Sequence, residues 1–168
     1  MKISDQKLRS DRLVFYAQDV QQLESELDGF LELSGAKCAL LIDCEGHLVT
    51  RRGEASAESV DSLAALTAGS FAATRQMAKL LGEEQFSTLS HQGQRESIQI
   101  SLVGERTLLT IVWDERTNLG LVRYYAQETS RCMLDLLKTI GSRPPSPDGD
   151  GLADDYSEQA TAALDDLF

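Results

Sequence analysis

The sequence predicts an α+β sandwich, one antiparallel sheet with helices packed on its faces. Three observations predict it. Along its 168 residues, helical and strand periodicities alternate in the order helix-strand-strand-helix-strand-strand-strand-helix. The strands are joined by hairpin-length connections, which favour antiparallel pairing over the long crossovers that a parallel sheet needs. A composition of 42% hydrophobic and 26% charged residues belongs to an ordinary globular chain and argues against wholesale disorder, collagen and membrane classes.

Residues 1–12 are polar and read as a flexible tail, followed by the short apolar anchor Leu13-Val14-Phe15-Tyr16. From Asp19 the apolar positions Val20, Leu23, Leu27, Phe30 and Leu31 recur at helical spacing, and Gly35 closes the helix. Cys38-Ala39-Leu40-Leu41-Ile42 is a continuous apolar run, the pattern of a strand buried on both faces. Asp43-Cys44-Glu45-Gly46 supplies turn residues and His47-Leu48-Val49-Thr50 returns, which makes a hairpin. Ser56 is the expected N-cap of a long helix that ends at Gly82. Phe86 to His91 reads as a weak strand, and Ile98, Ile100 and Leu102 alternate with Gln99 and Ser101 as a half-buried one. Leu108 to Trp113 is the last strand, Asp114 to Gly120 a loop, and Val122, Ala126, Met133, Leu137 and Ile140 mark the last helix.

The compact domain, 13–141, is expected to end where the composition changes. All three prolines fall in the junction Gly141 to Gly151, which has too little apolar surface to repay its ordering entropy. Residues 142–153 therefore read as a linker with a reach on the order of 20 Å. Beyond it, Tyr156, Ala160, Ala163, Leu164 and Leu167 share one face of an amphipathic helix over 154–168. Such a helix is marginal alone and calls for a groove, although an acidic tail without a role has the same composition.

Charge narrows the partners. The formal net charge of −11 disfavours a phosphate backbone, so no nucleic acid is expected. No apolar run is long enough to span a bilayer, so no membrane insertion is expected. The cysteines, Cys38, Cys44 and Cys132, are odd in number and lack Cys-x-x-Cys spacing, as in free thiols of a reducing cytoplasm.

Catalytic chemistry is not legible. There is no Gly-x-x-x-x-Gly-Lys phosphate loop. Asp148 and Asp150 resemble the start of a calcium loop, but Leu152 and Gln159 stand where further ligands are needed. His47 and His91 are placed in separate strands, and Cys132 lies on an apolar helical face. No nucleophile, base and oxyanion hole assemble, so neither an enzyme, a cofactor nor a metal is expected.

The long helix is unusual. Ala64, Ala65, Ala68, Gly69, Ala72 and Ala73 line both of its sides. One small stripe lets it sit close to the sheet, and a second leaves a low apolar surface of the kind that marks contact sites. Gly69 in mid-helix costs roughly 0.8–1 kcal/mol against Ala, which suggests a steric reason for it. Helix propensity alone also explains an alanine-rich segment.

The chain resembles the Roadblock family of small α+β dimers and, within it, the bacterial MglB type, partner of the Ras-like G protein MglA. The resemblance is carried by Lys37 to Gly46, Leu63 to Gly69 leading into Ala78-Lys79-Leu80-Leu81-Gly82-Glu83, Phe86, His91-Gln92-Gly93, Asp114 to Arg123, and Ala163 to Phe168. It implies a five-stranded antiparallel sheet and a homodimer that pairs edge strands and packs the long helices of two subunits together. Those helices would seat one Ras-like small GTPase of the MglA type, two copies of this chain to one GTPase.

The resemblance further implies a non-enzymatic activator of GTP hydrolysis without an arginine finger, located in the cytoplasm, concentrated at a cell pole and serving polarity or motility. A scaffold that binds its partner without altering turnover is the alternative. On this chain the GTPase contact falls on Ala68, Ser70, Phe71, Ala72, Arg75 and Gln76, and a second contact on Leu164, Leu167 and Phe168 of the terminal helix. Arg75 and Gln76 depart from the small residues frequent at those places in the family, so they reshape the seat or end activation.

Overall fold

The computed structural model describes residues 13–143. Along them run α1 (Ala17–Ser34), β1 (Cys38–Asp43), β2 (Leu48–Gly53), α2 (Ala57–Leu81), β3 (Thr88–Gln92), β4 (Glu96–Val103), β5 (Thr107–Asp114) and α3 (Leu119–Ser142). The tail 1–12, the linker from residue 144 onward and the segment 154–168 with Leu164, Leu167 and Phe168 lie outside the described residues.

The strands form one five-stranded sheet in the order β2-β1-β5-β4-β3, every pair antiparallel. This is the order of elements read from the sequence. β1 lies between β2 and β5 and is buried from Cys38 to Ile42, as its unbroken apolar run requires. Its side chains divide two cores. Cys38, Leu40 and Ile42 pack with Val60, Ala64, Ala68 and Phe71 of α2. Ala39 and Leu41 pack with Leu23, Leu27 and Phe30 of α1 and with Val122, Ala126 and Met133 of α3. The result is three layers, α2 on one face and α1 with α3 on the other.

Three local findings refine the sequence reading. Helix α1 starts at Ala17, ahead of Asp19, because the Asp19 carboxylate accepts the Tyr16 backbone N–H at 2.9 Å and closes the first turn. Ser56 does hold the N-cap of α2, but its hydroxyl meets the Ser59 hydroxyl and does not cap the backbone. Helix α3 extends through Ser142, one residue past the boundary expected at 141.

β4 differs more. The polar residues Gln99 and Ser101 are buried, 3% and 8% exposed, whereas Ile98 and Leu102 are only half-buried. Val103, on the same side as Gln99 and Ser101, packs into the core that α3 covers. Gln99 donates from Nε2 to the Ser101 hydroxyl at 3.2 Å. The apolar side of β4 therefore faces a layer that α2 covers incompletely, and β3, beside it, is an unpaired edge strand in the single chain.

Candidate partner-binding surface

The small residues of α2 serve three different neighbours. Toward the sheet, Val60, Ala64, Thr67, Ala68, Phe71, Thr74 and Ala78 are buried, a face that repeats at helical spacing. Ala68 is 6% and Phe71 2% exposed, so two of the six helix residues assigned to a partner lie inside the chain's own core. They set the height of α2 above β1 and β5.

The second neighbour is the β1–β2 turn. Gly46 has φ +96°, and a Cβ on it would stand 3.1 Å from the Ala65 Cα and 3.6 Å from the Ala68 Cβ. The turn packs on the helix backbone at Ala65 and on the Ala68 methyl group, where a larger side chain at position 68 would meet it. Part of the alanine pattern thus has an internal explanation that the sequence did not separate from the external one.

The remaining positions face solvent. Ala65, Gly69, Ala72 and Gln76, spaced four, three and four apart, form a low exposed stripe. No atom of the chain outside the helix's own backbone and immediate neighbours lies within 4 Å of a Cβ placed on Gly69, so the fold supplies no steric reason for this glycine. Arg75 is exposed beside the hairpin, where its charge opposes the upward push that burial gives the Cys44 thiol. Ser70 is exposed as well. Of the six residues, four are accessible, and they are distributed around the helix instead of lying on one plane.

A further stripe went unread in the sequence. Leu63, Leu66, Ser70, Ala73, Met77 and Leu80 are spaced three, four, three, four and three apart, the seam of a helix that packs against another helix at a shallow angle. Leu66 is 69%, Met77 50% and Leu80 87% exposed, and nothing in the described chain covers them. The signal was available as a 3-4 repeat but was obscured by the alanines between its members.

Leu63 leads from this seam into an open groove of about 640 Å³ between the start of α2 and the ends of β3 and β4. Cys38, Leu63, Ile98 and Val112 form its apolar floor, and Lys37, His91, Gln92 and Glu96 its rim. Lys37 is ion-paired with Glu96, and that hydrogen bond holds the ammonium pKa above its usual value.

One cluster of possible metal ligands occurs among the described residues: Asp43, Glu45 and His47, with ligand atoms within 4.8 Å of one another. Asp43 Oδ1 accepts the backbone N–H groups of Glu45 and His47, both at 2.9 Å, and its Oδ2 is 3.1 Å from His47 Nδ1. These bonds hold the turn that Gly46 presses against α2. His47 lies in this turn and not in a strand, and His91 is on β3 at the groove. Among the described residues no helix is long and apolar enough to cross a membrane.

Comparison with known proteins adds an independent line. The family model for the Roadblock/LC7 domain matches residues 23–112. MglB of Myxococcus xanthus is 33% identical with a TM-score of 0.68, over 70% of this chain and 96% of that one. The gliding protein MglB of Thermus thermophilus is 34% identical with a TM-score of 0.71, over 76% and 96%. A structure described as MglB with tetrameric arrangement is 32% identical with a TM-score of 0.72, over 76% and 96%. No curated protein matches the chain.

Proposed function

This chain belongs to the Roadblock/LC7 domain family, in its MglB type, and we propose that it is a regulator without catalytic activity of its own, acting as a homodimer on a Ras-like small GTPase of the MglA type. The observation that carries the proposal is the division of α2 into two accessible faces. One is an apolar 3-4 seam, Leu66, Met77 and Leu80, suited to the same helix of a second copy. The other is the low stripe of Ala65, Gly69, Ala72 and Gln76, suited to a flat partner.

In this reading the seam joins two α2 helices and the edge strands β3 extend the sheet across the dimer. Two low stripes then lie side by side and seat one GTPase. Ala72 and Gln76 make the central contact, Ser70 lies within the seam beside it, and Arg75 projects at the outer edge. Ala68 and Phe71 hold the stripe at its height from beneath. Leu164, Leu167 and Phe168 give the GTPase a second contact at the end of the linker.

The dimer supplies no reacting group. It stimulates hydrolysis by binding the catalytically arranged GTPase better than the idle one, so that the switch residues spend more time in place. A stimulation of 10-fold to 100-fold needs about 1.4–2.7 kcal/mol of differential binding. Single-turnover GTP hydrolysis by an MglA-type GTPase, with and without this chain, tests the reading: acceleration is expected. Complex formation without acceleration would leave a scaffold, the reading favoured by the bulk of Arg75 and Gln76 on a seat otherwise built of small residues.

A further inference from the structure

The layer of α1 and α3, across the sheet from α2, carries an apolar patch of its own. Leu33 is 61%, Leu121 44% and Tyr124 61% exposed. Leu33 stands at the end of α1, and Leu121 and Tyr124 at the start of α3. The two helix ends are joined where the Thr117 hydroxyl donates to the Ser34 carbonyl at 2.6 Å. Leu31, on the other flank of α1, reaches toward Gly53 of β2, so Leu33 lies on the flank turned to α3. One turn before it, open space surrounds a Cβ placed on Gly29, so no side chain there bars an approach.

We propose that this chain's own terminal segment, residues 154–168, folds back along α3 and covers the patch with Leu164, Leu167 and Phe168. The place of departure supports it. Arg143 is ion-paired with Asp19 of α1, so residue 144 leaves from the layer that bears the patch. The groove beside Leu63 and the seam of α2 lie on the other side of the sheet.

Length agrees. At 1.5 Å per residue along α3, Tyr124 is about 27 Å and Leu121 about 32 Å back from Ser142. A linker with a reach on the order of 20 Å, followed by a helix of about 20 Å running antiparallel to α3, ends in that range. The terminal leucines and Phe168 then arrive at the patch.

Chemistry agrees as well. Leu164, Leu167 and Phe168 are spaced three and one apart, a compact apolar cluster at the end of one helical face. Asp154, Glu158 and Asp165 fall on the opposite face and stay in water. Exposed Arg131 and Lys138 lie along α3 between the departure point and the patch, where Asp154 and Asp155 begin the segment. So small a contact opens at a low free energy, and the segment leaves before the body melts. One consequence rests on the function proposed above: the same three residues cannot touch a GTPase while they cover the patch, so docking in cis competes with capture.

The test uses the full chain without a GTPase. Cys44 and Cys132 are replaced by serine, buried Cys38 is kept, and a nitroxide is attached at Asp166→Cys. Paramagnetic broadening is expected at the backbone amides of Leu33, Leu121 and Tyr124 and not at those of α2 or β3. Leu121→Ser with Tyr124→Ser, both at exposed positions, is expected to keep the melting temperature and abolish the broadening. Leu167→Ser with Phe168→Ser is expected to abolish it too, without altering any described element. Broadening at α2 or at the groove beside Leu63, or none at all, overturns the proposal. So does broadening that survives either pair of substitutions. Broadening that appears when labelled chains are mixed with unlabelled, isotope-enriched ones assigns the patch to a second copy and also overturns it. None of these results depends on GTPase activation.

Discussion

Arg143 grips Asp19 with both arms of its guanidinium, Nη2 to Oδ1 at 2.9 Å and Nη1 to Oδ2 at 3.2 Å, across almost the whole described chain. Asp19 is 2% exposed and also caps the first turn of α1, while Arg143 lies over the Tyr16 ring at 5.4 Å. The contact ties the start of α1 to the end of α3 at the point where residue 144 departs. Asp19→Ala removes the cap and the ion pair together and is expected to lower stability by about 1.5–3 kcal/mol. Denaturant titration of the purified chain checks this, and an unchanged midpoint would mean that the pair is ornamental.

Gly69 separates the needs of the fold from those of a partner. Open space surrounds the position, so Gly69→Ala is expected to raise stability by roughly 0.8–1 kcal/mol through helix propensity. On the proposed seat the same methyl group lifts a flat partner. Affinity for the GTPase is expected to fall about tenfold, which is about 1.4 kcal/mol. Thermal melts and titration calorimetry read the two effects separately. A stabilised variant that binds as before would remove the partner explanation for the glycine.

Ala72 is exposed at the middle of the low stripe and outside the apolar seam. Ala72→Arg is expected to abolish GTPase binding while the elution volume of the homodimer stays that of the unmodified chain. Retained binding would relocate the seat. Loss of the dimer would show that the stripe and the seam are one surface.

Removal of residues 146–168 leaves every described element and the Arg143–Asp19 contact in place. The truncated chain is expected to keep its melting temperature and its dimer. Capture of the GTPase is expected to weaken by about tenfold or more, because a tethered second contact acts at high effective concentration. Equal binding by both forms would deny the terminal segment a part in this interaction.

Much of the architecture was legible because it follows from local rules. The apolar run of β1 announced a strand with both faces covered, and Gly35 and Gly82 do end α1 and α2 in the left-handed conformation. The candidate surface was legible only in outline. An alanine fits the core, a turn contact or open solvent equally well, so Ala65, Ala68 and Ala72 cannot be sorted by residue type. Leu66, Met77 and Leu80 were passed over because exposed leucines look like core residues until the sheet's position is known. Gln99 and Ser101 failed in the opposite sense, since polar residues on alternate positions normally mark a solvent face.

The sequence by itself determined the order of elements, the antiparallel pairing and the family, since periodicity, hairpin-length joints and turn residues are properties of neighbours along the chain. Tertiary structure alone decided which side of α2 is free. That choice depends on where the helix lies over β1 and β5, how closely Gly46 brings the hairpin to Ala65, and which half of the sheet is left without a layer. These are distances between segments remote in sequence, and they arise only when the helix and sheet pack.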